Sequence, residues 1–221
     1  LASFTYILKR VYLNQTDICL GVLFMKNILL SSAIITTLSL FSVTQGLAQT
    51  AFGLTLGQAL PNGAKPNTSN GQYTVTPPKT HSLFDFYNVY FHQDYGICRI
   101  IAYGKDNEDD KYGTDAKSQY NRIKRSLNKK YKSNETLKET NEYEFLKTNA
   151  LYKDDDDFAI SIEKEDRYHE THWNFKDSDL ETISLRINSI SYQETYIVLN
   201  YYASFETDCM DKIRSVDEDA L

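Results

Sequence analysis

The residues here with the clearest capacity for chemistry are His169 and His172, in His169-Glu170-Thr171-His172. On a helix, side chains three positions apart share a face, so the two imidazoles would reach one zinc ion. Glu165 or Asp166, one turn earlier, would be the third ligand. The spacing is one residue short of the H-E-x-x-H metalloprotease pattern, and no cysteine stands close by. The expectation is therefore surface histidines beside Trp173, with no tight metal site and no cofactor. His81 and His92 are isolated in the sequence.

Acidic runs offer a second kind of chemistry. Asp106-Asn107-Glu108-Asp109-Asp110 lacks the glycine at position six and the glutamate at position twelve of a calcium-binding EF-hand. Asp154–Asp157 suits a helix N-terminus or a solvated loop better than a cation site. Nucleophile motifs such as G-x-S-x-G or S-x-x-K with K-T-G are missing, as is a phosphate-cradling glycine loop. No catalytic residue is assigned, and the balance of signals leans away from an enzyme.

Location is more legible than activity. Met25-Lys26-Asn27, an apolar run from Ile28 to Phe41 and the small-x-small sequence Gly46-Leu47-Ala48 make up a secretory signal. Cleavage between Ala48 and Gln49 is expected. The apolar run is too short and too rich in Ser and Thr for a spanning helix, so no stable membrane insertion is expected after cleavage. Residues 1–24 then read as upstream, non-native leader, residues 25–48 as signal peptide, and residues 49–221 as a single mature domain. The destination is periplasmic or secreted.

The chain carries a formal net charge of −6. Removing Lys9, Arg10 and Lys26 against Asp17 alone leaves the mature part at about −8. Such acidity disfavours nucleic acid and anionic lipid as partners. An unidentified protein or small molecule is the expected partner. Cys19 falls in the leader, which leaves Cys98 and Cys209 in an oxidising compartment, either as a disulfide or as two separate buried thiols.

The elements that must position all of this follow from patterning. Phe52–Gly57 reads as a short first strand, Pro61–Gly71 as an exposed loop and Gln72–Thr76 as a second strand stopped by Pro77-Pro78. Phe84–Phe91 and Ile97–Tyr103 flank His92–Gly96 as a hairpin. Thr114 is the expected N-cap of a helix that buries Ala116, Tyr120, Ile123, Leu127 and Tyr131. Its basic residues Arg122, Lys124, Arg125, Lys129 and Lys130 form an anion site or, as the simpler expectation, a solvated face balancing the dipole. Leu137–Tyr152 is expected to hold short helical turns, and Phe158–Trp173 to be helical. Ile183–Tyr192 and Tyr196–Phe205 form a second hairpin, followed by a frayed tail after Cys209. The fold class is α+β: an antiparallel sheet built from hairpins, with helices packed on one face. The tyrosines, 17 in all, are expected mainly to pack across strands, and an exposed tyrosine-rich face would be a ligand surface.

The Phe52-Gly53-Leu54-x-Leu56-Gly57 opening, Gly96-Ile97-Cys98, the tyrosine-bearing helix, the Asp157-Phe158 to Trp173 segment and the closing hairpin with Cys209 resemble a group of uncharacterised exported proteins of Gram-negative bacteria. The resemblance covers most of residues 49–221. It implies an exported α+β domain with a Cys98–Cys209 bridge and brings no activity with it. Three functions are carried forward: an exported binding or accessory domain; a small periplasmic hydrolase or metal-dependent enzyme centred on His169 and His172; and a secreted inhibitor of a cationic enzyme.

Overall fold

The computed structural model describes residues 50–67 and 71–218, with side chains to Ser215. The leader, the signal peptide and the Ala48–Gln49 cleavage site lie outside the described residues. The chain runs β1 (Thr50–Ala51), β2 (Leu54–Thr55), β3 (Lys65–Pro66), β4 (Gln72–Thr74), β5 (Phe84–His92), β6 (Gly96–Gly104), α1 (Thr114–Tyr131), β7 (Leu137–Leu146), α2 (Phe158–Glu163), β8 (Arg167–Phe175), β9 (Leu180–Ser191), β10 (Glu194–Ala203) and α3 (Glu206–Glu218). Eight strands make one antiparallel sheet in the order β3-β4-β5-β6-β10-β9-β8-β7. The α+β class and the two long hairpins match the sequence reading.

The sheet has an inner and an outer face because strand side chains alternate. Val89, Ile100, Leu199, Leu185 and Trp173 point inward and are buried. Against them lies α1, whose buried stripe is Ala116, Tyr120, Ile123, Leu127 and Tyr131. Two polar clasps hold it there: the hydroxyls of Tyr120 and Thr171 hydrogen-bond, and Trp173 Nε1 donates to Asn128 Oδ1 at 2.7 Å. Thr114 is the first helical residue rather than the cap. Gly113 precedes it at φ 66°, and the cap is supplied from three residues further back by Asp110.

Several local expectations are corrected. Phe52 and Gly53 both take positive φ, at 57° and 78°, so Phe52–Gly57 is not one strand: Phe52-Gly53 is a tight turn that leads into the two-residue β2. The strain at Phe52 is offset by its ring, which lies 4.9 Å from Tyr87 and 5.6 Å from Phe84. Leu137–Leu146 is an edge strand, not helical turns. The helix at Phe158 ends at Glu163; Glu165 then turns the chain at φ 56°, and Arg167–Phe175 is a strand. The tail after Cys209 belongs to α3.

A disulfide joins Cys98 of β6 to Cys209 of α3. It pins α3 to the outer face, the side opposite α1. Tyr90 and Arg99, which alternate with the inward Val89 and Ile100, pack there beneath α3. Arg99 lies over the rings of Tyr90 and Tyr202 at 5.1 and 4.7 Å and pairs with Glu206 of α3. Cys98, Cys209 and Ile213 form a small core separate from the main one. Among the described residues, α3 thus covers one corner of the outer face.

Candidate functional site

His169 and His172 lie on β8, and a strand turns residues three apart to opposite faces. His169 points inward. Its ring sits edge-on to Tyr120 at 4.5 Å, and its Nδ1 lies 3.3 Å from Glu144 Oε1. Burial holds its pKa below the usual imidazole value, more strongly than the nearby Glu144 carboxylate raises it. His172 points outward, with Nε2 at 2.6 Å from Glu170 and its ring 5.2 Å from Tyr143. The pair cannot share a metal, and among the described residues no three metal-binding side chains converge. The helical placement behind the H-x-x-H idea is therefore corrected; Glu165 and Asp166 precede the strand rather than standing one helical turn below His169, although Glu165 and His169 line one cavity.

The other sequence candidates have structural partners. His81 accepts the Leu83 N–H at Nδ1, and His92 accepts that of Asp94, each at 3.2 Å in a turn. Asp110 is buried and caps α1, while Asn107 bridges to Thr195. Asp155 meets Arg167 at 3.3 Å beside a single 3-10 turn at Asp155–Asp157. On the basic side of α1, Lys124 pairs with Glu142 at 2.6 Å. This ion pair walls a polar cavity of about 150 Å³ that His169 and Tyr120 also line. A second polar cavity, about 250 Å³, opens where β8 and β9 part beyond the Glu170–Arg186 pair. Its wall mixes Arg167 and Arg186 with Glu163, Glu165 and Glu170, which selects for neither charge.

A larger cavity than these two, about 370 Å³, lies on the outer face. Register alone assembles it. Phe86 of β5 stands opposite Tyr103 of β6, which stands opposite Val198 of β10, two residues from Tyr196. Asn88 follows Phe86 on the same face, with Thr74 of β4 as its cross-strand neighbour. The result is three aromatic rings around a polar set. The Thr74 hydroxyl donates to Asn88 Oδ1 at 3.0 Å, and Asn188 Nδ2 donates to the Tyr196 hydroxyl at 3.2 Å. Both bonds fix groups that would otherwise rotate. Asp106 supplies a carboxylate at the rim. Burial raises the Tyr103 pKa, so its phenol stays neutral and can both donate and accept.

Phe86 is 64 % exposed, although phenylalanine has no polar group that gains from water. Rings flanked by hydroxyl, carboxamide and carboxylate groups suit a small ligand with an apolar C–H face and a hydroxylated rim. Sequence reading expected the tyrosines mainly to pack across strands, with an exposed tyrosine-rich face as the alternative, and it did not single out these residues, because four strands contribute to the cavity. Among the described residues, no helix is long and apolar enough to cross a membrane. Comparison of the chain with family models, curated proteins and solved structures finds no match.

Proposed function

We propose that this chain is an exported binding domain that holds a saccharide against the outer face of its sheet. The observation that carries the reading is the cavity walled by Phe86, Tyr103 and Tyr196, with Asn88, Thr74 and Asp106 as its polar complement. Export is supported by the Met25–Ala48 segment and by the Cys98–Cys209 bridge, since disulfides persist in oxidising compartments. The periplasm of a Gram-negative bacterium is the proposed destination, in line with the resemblance noted for residues 49–221. The rival enzyme reading loses the shared site at His169 and His172 on which it was built.

Two measurements test this. Periplasmic material should begin at Gln49 by intact mass, and a species retaining Met25 would remove the export reading. A panel of neutral and amino-sugar oligosaccharides, titrated calorimetrically, should yield at least one binder. Tyr103→Ala should weaken that binding by roughly tenfold or more, as loss of a central aromatic anchor does. Absence of binding across the panel would remove the saccharide reading.

A further inference from the structure

The two ends of the sheet are finished differently. At one end β3 is two residues long and closes on Pro66, which cannot donate a ladder hydrogen bond. At the other, β7 offers a ten-residue edge that, among the described residues, pairs only with β8. Most of its side chains are exposed, including Tyr143 at 42 % and Phe145 at 50 %. A long open edge with apolar side chains is a template for another strand.

From this edge we infer that two copies of the chain pair through β7, antiparallel, about a two-fold axis through Asn141. This stands apart from the saccharide reading and neither requires nor supports it. A two-fold axis normal to a continued sheet keeps facing side chains on one face only when the paired residue numbers sum to an even value. Charge then selects among the even registers. Centring on Glu139, Glu142 or Glu144 sets that carboxylate against its own copy, and centring on Tyr143 sets Glu142 against Glu144. Like charges directly opposite destabilise a ladder. Centring on Asn141 pairs Thr140 with Glu142 and Glu139 with Tyr143. It also sets Lys138, the bulged residue of β7, opposite Glu144 at both ends. The Lys138 and Glu144 side chains are 63 % and 68 % exposed, and their present contacts, Lys138 with Glu139 at 3.8 Å and Glu144 with His169 at 3.3 Å, would be shared with or exchanged for that pair. Centring on Thr140 also avoids like charges, but it leaves Glu144 and Phe145 beyond the paired segment.

The test uses the purified protein carrying Cys19→Ser, so that Asn141→Cys adds a single free thiol. Sedimentation at about 100 μM, a range suited to an interface this small, should show a dimer population that grows with concentration. Asn141→Cys should cross-link to its own copy on mild oxidation, and Thr140→Cys should do so far less. Lys138→Glu and Glu144→Lys should each raise the dimer dissociation constant by roughly tenfold, since two symmetric pairs become repulsive. The double reversal should return it to within about threefold of the starting value, which damage to the fold would not do. A monomer throughout, preferential Thr140→Cys cross-linking, or failure of the double reversal to restore pairing would each overturn the inference.

Discussion

The carboxylate of Asp110 accepts the Thr195 hydroxyl at 2.5 Å and, at 3.0 Å each, the backbone N–H groups of Asp115 and Ala116. One buried side chain therefore caps α1 and ties it to the start of β10. Asp110→Ala removes the cap and leaves the Thr195 O–H and two backbone N–H donors without their acceptor. A loss of about 2–4 kcal/mol is expected in urea unfolding. Asp110→Asn keeps one acceptor and should lose about half as much. A loss below about 0.5 kcal/mol for Asp110→Ala would contradict this account of how α1 is seated.

The Cys98–Cys209 bridge spans 111 residues of sequence and anchors α3. Cys98→Ser should lower stability by roughly 4–5 kcal/mol on chain entropy, or somewhat less if the reduced chain retains structure. It should also raise hydrogen exchange in α3 before the inner core opens. Free thiols at Cys98 and Cys209 in the denatured, unreduced protein would refute the bridge.

His169 links stability to pH. Burial depresses its folded pKa below the unfolded value of 6.5, with Glu144 opposing that shift and Lys117 and Lys124 adding to it. Between the folded pKa and 6.5 the unfolded chain binds more protons. Stability is therefore full above about 6.5 and falls as acid is added through that window. His169→Gln should flatten the difference in urea midpoint between about pH 7.5 and about pH 5.5, relative to the parent protein. An unchanged slope would show that His169 titrates as it does in the unfolded chain.

The elements most legible in the sequence were those with one strong local cause. Gly96 sits at φ 74°, where a side chain would strike the Gly57 carbonyl, and alternating apolar residues flank it, so the β5–β6 hairpin was readable. The stripe from Ala116 to Tyr131 gave α1 for the same kind of reason. The failures have an equally physical origin. As an edge strand, β7 buries almost nothing on either face, so Leu137–Leu146 carries no extended alternating apolar stripe, only Tyr143 and Phe145 flanking Glu144, to mark it as a strand. Phe158–Trp173 combines a short helix and a strand joined at Glu165, and spacing averaged across that joint mimicked one long helix. Phe86, Asn88, Tyr103 and Tyr196 belong to three different strands. Phe86 and Tyr103 meet through the register of the β5–β6 hairpin, and Tyr196 joins them through the pairing of β6 with the distant β10, which leaves no local mark.

The central claim is that this domain acts by binding at the Phe86–Tyr103–Tyr196 cavity rather than by chemistry at its histidines. The most direct measurement is a map of amide chemical-shift changes on adding the best oligosaccharide from the panel. The largest changes are expected at Thr74, Asn88, Tyr103, Gly104 and Tyr196, and Phe86→Ala should abolish most of them. Changes centred instead on His169, Tyr120 and Glu144 would contradict the account and move the functional site to the inner face.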